Sequence, residues 1–400
     1  MKIVCSTSMP HAVEAFSVLG DVSAIEGRDI SREDVTDAEI LAVRSTTKVT
    51  RELLQGSAVR FVGTATIGTD HLDLEYFKQE GIEWCYAPGC NADSVADYVT
   101  SALLSLSEQA HGRLAGSTLG VIGVGHVGCR VVRHARALGM QVVASDPPVE
   151  RMLASGAATG IAALELGPVT WLPRDDVLAH ADYLTLHVPL SDAGADATRQ
   201  LAGGRMFSRM RPGACFLNTS RGEVMDSQAL SQALSTGRLG GAVIDTWQNE
   251  PGIDATLLQQ VDLGTPHIAG YSWDGRVRGT QIVYEAVCRF LDEPIAWGPR
   301  ALDASGGQLS IPADLDEEDA IRSVVRAVYD VRSDDAALRR GVTGSAEEWS
   351  AYFDNLRRNY PRRREFSSAS VKPPSDSKLS TALKKLGFQV SSRRHASSFP

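Results

Sequence analysis

The chain has 400 residues, of which 43% are hydrophobic and 22% charged, with a net charge of −9. This length predicts two or three domains, because one core rarely grows past roughly 250–300 residues. The acidic balance argues against a nucleic-acid binder, and no apolar run approaches the roughly 18–20 residues of a membrane span. The first residues lack the pattern of a secretion signal, and the six cysteines form no C-x-x-C pair. We therefore expect a cytoplasmic protein with reduced thiols, no metal site and no membrane partner.

The N-terminal part of the chain alternates short apolar runs with helical stretches, which is typical of a small α/β unit with a parallel sheet. The predicted strands are residues 2–5, 40–43, 60–63 and 82–86. The predicted helices between them are residues 11–19 and 50–54. A longer helix over residues 91–106 has one apolar face and is predicted to carry the chain into a second unit.

The strongest functional signal is a glycine-rich turn between two predicted strands. The strand Thr118–Ile122 runs into Gly-x-Gly-x-x-Gly, a helix follows over residues 129–140, and Gln141–Ser145 is a second strand ending at Asp146. Such glycines let the chain turn tightly, approach a pyrophosphate and pack a helix on a sheet, while the acid suits ribose hydroxyls. The sequence therefore predicts bound NAD. The predicted contacts are Gly123, Gly125, His126, Val127, Gly128 and Asp146.

The following segment reads as the rest of a doubly wound sheet, in which ligands lie off the carboxyl ends of the strands. Its later strands are predicted at residues 183–187, 214–218 and 242–245 and in the run up to His267. Most polar residues of interest follow those strand ends: Asp146, His187, Asn218 to Arg221, Asp245 and His267. Their shared position predicts a single active site.

Three residues at these ends have the chemistry of alcohol oxidation. Arg221 can grip a carboxylate with a two-pronged hydrogen bond. Glu250 and His267, on neighbouring loops, can form a dyad in which the carboxylate orients the imidazole and favours its protonated form. Such a histidine takes the hydroxyl proton while hydride leaves for nicotinamide. The alternatives are a surface arginine, an acid at a helix start and a core histidine; His187 is interpreted as structural.

The C-terminal part is predicted to be a separate segment, because residues 301–312 contain the Gly, Ser and Pro that are typical of a domain boundary. It carries an apolar stripe at Ile321, Val324, Val325, Val328 and Tyr329. A capping box over residues 345–348 opens a helix with Trp349, Tyr352, Phe353 and Leu356. So small a segment is marginal alone, so we predict that its stripes pair with a second copy in a homodimer. The alternative is packing against the same chain.

Together these motifs resemble the NAD-dependent D-2-hydroxyacid dehydrogenases over about residues 2–291. The resemblance implies a Rossmann NAD-binding domain at residues 96–269 and a flavodoxin-like substrate-binding domain from residues 1–95 and 270–300. It implies an α+β dimerisation domain at residues 301–400. It also implies that the family's catalytic trio is Arg221, Glu250 and His267.

Residues 43–48, 61–71, 87–92 and 360–367 narrow the match. They resemble the branch of this family that oxidises 4-phospho-D-erythronate to 3-hydroxy-2-oxo-4-phosphooxybutanoate in pyridoxal phosphate biosynthesis. That resemblance implies that the substrate contacts Ser45, Thr66 and Tyr271. It implies that NAD is faced by Asp146, Val188, Asp245 and Gly270. Val188 stands where a threonine is common, so any contact there is through the backbone.

The substrate chemistry adds expectations of its own. Arg44 and Lys48 are candidates for the phosphate, and backbone N–H groups of residues 66–68 for the carboxylate end. One alternative is another D-2-hydroxyacid dehydrogenase, acting on phosphoglycerate or hydroxypyruvate. A second is an NAD-sensing scaffold on the same fold. Residues 152–172 are interpreted as an apolar loop, and residues 391–400 as a mobile tail.

Overall fold

The computed structural model describes residues 1–156, 169–299, 308–312, 314–342, 344–373 and 378–391. The chain divides into two compact units, Met1–Asp93 with Tyr271–Asp303 and Ser94–Gly270 with Ala304–Pro400. Within the described ranges, no helix is both long enough and apolar enough to cross a bilayer. The expected apolar loop, the 301–312 boundary and the expected tail lie largely outside the described residues.

The first unit is built on a five-stranded parallel sheet. Its strands are β1 (Lys2–Ser6), β2 (Asp21–Ile25), β3 (Ile40–Val43), β4 (Phe61–Thr64) and β5 (Glu83–Tyr86). They lie in the order β2-β1-β3-β4-β5, which is the flavodoxin-like order. The helices between them are α1 (Ala12–Phe16), α2 (Arg32–Val35), α3 (Arg51–Leu54) and α4 (Leu74–Glu80).

A later helix, Trp273–Leu291, returns to this unit and packs on its sheet. Gly63 in β4 allows the close approach, since a Cβ there would lie 2.3 Å from Val283 Cγ1. The strand β2 and the helices α2 and α4 are absent from the sequence prediction. No residue of β2 is buried, so the strand lacks the apolar alternation that would have revealed it.

The second unit contains a seven-stranded parallel sheet, which α5 (Ala92–Leu106) precedes. The strands are β6 (Thr118–Ile122), β7 (Gln141–Ser145), β8 (Thr170–Trp171), β9 (Tyr183–Leu186), β10 (Cys215–Asn218), β11 (Gly241–Ile244) and β12 (Leu263–Gly264). Their order is β12-β11-β10-β9-β6-β7-β8, so the winding reverses between β6 and β9. This is the doubly wound Rossmann arrangement, and the predicted fold class is confirmed.

In the described residues of this unit, six helices lie between these strands. They are α6 (His126–Ala137), α7 (Pro147–Ala154), α8 (Arg174–His180), α9 (Gly204–Arg209), α10 (Ser227–Ser235) and α11 (Ala255–Gln260). The core between helices and sheet is apolar, and Phe216 in β10 and Ile244 in β11 are fully buried in it. Because this core is apolar, the polar groups that could act on a ligand lie at the carboxyl ends of the strands.

The described residues of the C-terminal part add four helices after Trp273–Leu291, which is α12. They are α13 (Glu317–Val328), α14 (Val331–Arg340), α15 (Ala346–Arg358) and α16 (Lys378–Lys385). A small parallel sheet joins β13 (Leu309–Ser310), β14 (Ser370–Lys372) and β15 (Gln389–Val390). The predicted capping box is confirmed, since Ser345 Oγ accepts from Glu348 N at 3.3 Å and the Glu348 carboxylate accepts from Ser345 N at 2.8 Å.

The apolar faces of these C-terminal helices are covered within the chain itself. Trp349 and Phe353 of α15 are at most 7% exposed and belong to the core that contains Leu257 and Leu258 of α11. On α13, Ile321 is 2% exposed. The argument that these stripes need a second copy is therefore wrong, and the alternative, packing against the same chain, describes them.

Candidate active site

The glycine turn after β6 has the shape that a dinucleotide needs. Gly123 has φ +90°, and a Cβ there would lie 2.5 Å from His187 O. A Cβ on Gly128 would lie 2.0 Å from Gly123 O, so α6 packs tightly on the turn. At Gly125, by contrast, no atom of the described chain beyond the glycine and its two neighbours in sequence is within 4 Å of the Cβ position. This open cradle at the start of α6 fits a pyrophosphate received by backbone N–H groups.

Asp146 closes the same turn from the end of β7. Its Oδ2 accepts a hydrogen bond from Val124 N at 2.7 Å, and its Oδ1 caps α7 by accepting from Val149 N at 3.0 Å. Val188 lies on the other side, since its Cγ1 would be 2.9 Å from a Cβ on Gly123. The predicted cofactor residues around the turn, including the exposed His126 and the half-buried Val127, are thus neighbours.

The Glu250–His267 dyad is formed. His267 Nδ1 lies 2.7 Å from Glu250 Oε2, and Glu250 Oε1 accepts from Trp247 N at 2.8 Å. The two side chains are 30% and 18% exposed. Burial raises the pKa of Glu250, but the charges of His267 and Arg357 and the hydrogen bonds outweigh it and lower that pKa overall. An ionised Glu250 holds the proton on Nδ1, which leaves Nε2 to exchange a proton with substrate.

Asp245 holds the loop on which His267 lies. Its carboxylate is 1% exposed and accepts from Thr265 Oγ1 at 2.7 Å, Ile268 N at 2.7 Å and Ala269 N at 3.0 Å. Its own carbonyl accepts from His267 N at 2.8 Å. His267 has φ +56°, a left-handed conformation that costs free energy in a residue other than glycine. The Asp245 bonds stabilise it, and a contact between Asp245 and NAD stays a prediction.

Arg221 lies on a loop that packs against the segment leading to Glu250. Asn218 shapes this loop, since its Nδ2 donates to Arg221 O at 3.0 Å. A Cβ on Gly222 would lie 1.9 Å from Trp247 O, so only glycine permits the contact. Trp247 Nε1 donates in turn to Thr265 O at 2.9 Å. The three loops that carry the predicted trio are therefore joined, with Gly270 at the end of the third.

His187 is a neutral packing group. Burial lowers its pKa to about 3, and its Nε2 lies 3.0 Å from Thr185 Oγ1. This surrounding agrees with its structural interpretation. Across the described ranges, no three His, Cys, Asp or Glu side chains are grouped so that they could hold a metal ion.

The first unit has a separate cluster of two arginines. Arg44 is 8% exposed, donates to Ala65 O at 3.3 Å and has its Cζ 5.8 Å from the Tyr271 ring centre. Arg276, in the first turn of α12, donates to Ser8 O at 2.8 Å. Burial and then the charge of Arg44 lower the pKa of Arg276 to about 10. Within the described chain neither guanidinium has a carboxylate partner, which is typical of an anion site.

The other predicted substrate residues are more open. Ser45 and Lys48 are exposed, whereas Thr66 and Tyr271 are partly buried. Thr66 Oγ1 lies 2.8 Å from Thr64 Oγ1 and donates to its own turn, to Gly68 O at 3.0 Å. Sequence reasoning proposed Lys48 beside Arg44 and missed Arg276. The two arginines are far apart along the chain, and the only available signal was a second arginine soon after Tyr271.

Comparison with known proteins gives a consistent family. Residues 95–269 match the family described as D-isomer specific 2-hydroxyacid dehydrogenase, NAD binding domain, and residues 304–387 match a domain of unknown function. The erythronate-4-phosphate dehydrogenase of Pseudomonas syringae pv. syringae is 43% identical over 390 residues, spanning 97% of this chain and 99% of that protein. The enzyme of the same name from Klebsiella pneumoniae is 42% identical, with 98% of each chain covered. The NAD prediction is thereby confirmed.

Solved structures share the fold. The D-lactate dehydrogenase of Aquifex aeolicus, solved with NAD and lactic acid, has a TM-score of 0.58 to this chain at 24% identity. The match covers 72% of this chain and 95% of that one. At this identity the similarity speaks for the fold alone, and it agrees with the two sheets described above.

Proposed function

This chain belongs to the erythronate-4-phosphate dehydrogenases, within the D-isomer specific 2-hydroxyacid dehydrogenases, and we propose that it oxidises 4-phospho-D-erythronate at C2 with NAD. The product is 3-hydroxy-2-oxo-4-phosphooxybutanoate, on the route to pyridoxal phosphate. The observation that carries the chemistry is the 2.7 Å contact between Glu250 and His267, at the carboxyl edge of an NAD-binding sheet.

The trio divides the work of the oxidation. Arg221 binds the substrate carboxylate through its guanidinium fork. His267 Nε2 takes the proton of the C2 hydroxyl as the C2–H bond breaks, and Glu250 stabilises the imidazolium that forms. Bound NAD supplies the acceptor for the hydride that leaves C2 with the bonding electrons. Charge and atoms balance, since the substrate loses one proton to His267 and one hydride to the nicotinamide.

The simplest test is turnover by the purified protein. We expect NADH to form from NAD and 4-phosphoerythronate, and the assay includes a 2-oxo acid acceptor in case nicotinamide stays bound. A higher kcat/KM with D-3-phosphoglycerate, or for the reduction of hydroxypyruvate, would favour a different D-2-hydroxyacid dehydrogenase. Binding of NAD without turnover of any of these acids would favour the sensing scaffold.

The substrate phosphate is assigned to Arg44 and Arg276. We expect Arg276→Gln to raise KM for 4-phosphoerythronate by about 10–100-fold, the cost of one charged hydrogen-bonding partner. D-erythronate, which lacks the phosphate, provides the comparison, and its kinetics should not change. Arg289→Gln, at an exposed position on the same helix, is the matched control. Equal losses with the two substrates would contradict the assignment.

The cofactor is expected to be NAD in preference to NADP. The Asp146 carboxylate accepts hydrogen bonds from the ribose 2′-hydroxyl and repels a 2′-phosphate, so kcat/KM should be at least about 100-fold lower with NADP. Asp146→Asn keeps a side chain that can cap α7 while removing the charge, and it should narrow the gap. Comparable kcat/KM values for the two cofactors with the unaltered protein would show that Asp146 is misassigned.

A homodimer is inferred from the family resemblance of the C-terminal part. The buried stripes of α13 and α15 add no support, because the chain already covers them. Sedimentation of the full chain at micromolar concentration should give twice the monomer mass. A monomer would contradict the inference. Removing everything after residue 300 should yield insoluble protein, because Leu257 and Leu258 would lose the cover of Trp349 and Phe353.

A further inference from the structure

The C-terminal segment, meaning the described residues of 308–391, is bonded to both loops of the Glu250–His267 dyad. Beyond Glu250, the indole Nε1 of Trp349 in α15 donates to Ile253 O at 3.1 Å. Ahead of His267, Asp335 in α14 accepts from Gly264 N at 2.8 Å. The segment that matches a domain of unknown function therefore contacts the chain on either side of the Glu250–His267 pair.

Arg363 of this segment holds the main chain next to His267. It is 7% exposed, stacks 4.3 Å from the Tyr329 ring centre, and donates to Ile268 O at 3.3 Å and to Ala269 O at 2.5 Å. The N–H groups of Ile268 and Ala269 are bonded to Asp245. The two residues after His267 are thus held through their N–H groups by the Asp245 carboxylate and through their carbonyls by Arg363 of the C-terminal segment.

Arg357 reaches the dyad itself. Its Nη1 lies 3.9 Å from Glu250 Oε2, the same oxygen that contacts His267 Nδ1 at 2.7 Å. The Arg357 side chain is 21% exposed and that of Glu250 is 18% exposed. Charges at this depth are screened less by salt than charges on the surface. The Glu250 carboxylate is therefore contacted by two basic side chains from different parts of the chain.

We propose that the C-terminal segment is part of the catalytic apparatus, in which Arg357 is a positioning residue that shares the charge of Glu250 with His267 and so sets the pH range of proton transfer. The inference rests on the proposed function, because it assumes that His267 accepts the substrate proton. Without Arg357, the whole charge of Glu250 acts on the imidazolium and stabilises it further. The neutral histidine that oxidation requires would then exist only at higher pH.

Other charged groups lie around the dyad in the described part of the chain, and the Arg357 variants leave their residues unsubstituted. Asp245 lies under the His267 loop, and its pKa is raised by burial, although the charge of His267 lowers it. Asp334 accepts from Tyr329 OH at 2.9 Å, and burial raises its pKa too. Arg363 is a cation bonded to Ile268 O and Ala269 O, and Arg221 lies on the adjoining loop. Because these groups are common to the compared variants, a difference between the variants reports on Arg357.

The test is the pH dependence of kcat/KM for oxidation by the full chain. Arg357→Gln and Arg357→Met, the second of which keeps an apolar stem, should both move the acid limb to higher pH by roughly 0.5–1 unit. Arg357→Lys should return it towards the unaltered position. Arg358→Gln is the matched control, since Arg358 is the next residue of α15 and is exposed. NAD affinity and the melting temperature are measured for each variant.

The outcomes separate this inference from the proposed function. An unmoved limb in both Arg357→Gln and Arg357→Met, or an equal shift in Arg358→Gln, overturns the role of Arg357. A fall in kcat with an unmoved limb assigns Arg357 to packing alone and also overturns it. If the unaltered chain oxidises no 2-hydroxyacid while binding NAD, the proposed function fails instead. If only one of Arg357→Gln and Arg357→Met folds, the position of the acid limb in that variant decides whether Arg357 has the proposed role.

Discussion

We expect His267→Ala to lower kcat for the oxidation by about 10²–10⁴-fold, the usual contribution of a general base. The affinity for NAD should stay the same, because the glycine turn after β6 lies on strands other than the one that leads into the His267 loop. Alanine removes the only proposed acceptor for the hydroxyl proton. Stopped-flow or steady-state NADH formation measures the first effect, and protein fluorescence with NAD the second.

The matched control for this variant is His180→Ala. His180 ends α8 in the same unit and is exposed, so its loss should leave kcat unchanged. A further check is the melting temperature, since His267 occupies a left-handed conformation that alanine also finds costly. Near-normal turnover by a folded His267→Ala protein would remove His267 from the mechanism.

The second large effect is expected for Glu250→Gln. Glutamine has the same size as glutamate and keeps an oxygen that can accept the Nδ1 proton of His267. The imidazole ring therefore stays oriented, while the negative charge at position 250 is lost. The imidazolium is then less stable, and kcat should fall about 10–100-fold. The acid limb of the oxidation should move to lower pH by about one unit, because His267 now stays neutral in more acidic solution. This direction is opposite to that expected for Arg357→Gln.

The stability of the folded chain should also depend on pH through Glu250. The pKa of Glu250 is lowered in the folded chain, so its ionised form stabilises the fold above about pH 4.5. That stabilisation is lost as the pH falls through the lower folded value. Melting curves should therefore lose less stability on acidification in Glu250→Gln than in the unaltered chain. An acid limb that does not move in a folded Glu250→Gln protein would separate Glu250 from the function of His267.

Much of the second unit could be predicted from local sequence, because the signals there are local. The strands Thr118–Ile122 and Gln141–Ser145 have the predicted bounds. The glycine turn was recognisable because each glycine answers a backbone requirement that few other residues meet. The helix α6 nonetheless begins at His126, three residues before the predicted start, because its first turn is the glycine motif itself.

The first unit was harder, since its elements are short and partly exposed. The strand β2 has no buried residue, and α2 is four residues long. Such elements are stabilised by neighbouring strands and helices, and little of that stabilisation is visible in their own periodicity. The pairing of Arg44 with Arg276 was missed for a similar reason. Arg44 follows β3 whereas Arg276 lies on α12, so nothing in the local sequence of either arginine indicates the other.

The sequence by itself determined the class of fold and the presence of an NAD-binding domain, and it singled out Arg221, Glu250 and His267 as the proposed trio, since motif chemistry and strand ends are readable along the chain. Only the tertiary structure decided what surrounds them. Asp245 binds the His267 loop, Arg357 lies near Glu250, and Arg363 binds the residues after His267. Each of these contacts joins residues that are far apart in the chain. Burial of the C-terminal stripes within the chain was decided in the same way. Contacts of this kind depend on packing between distant segments, for which one sequence carries no periodic signal.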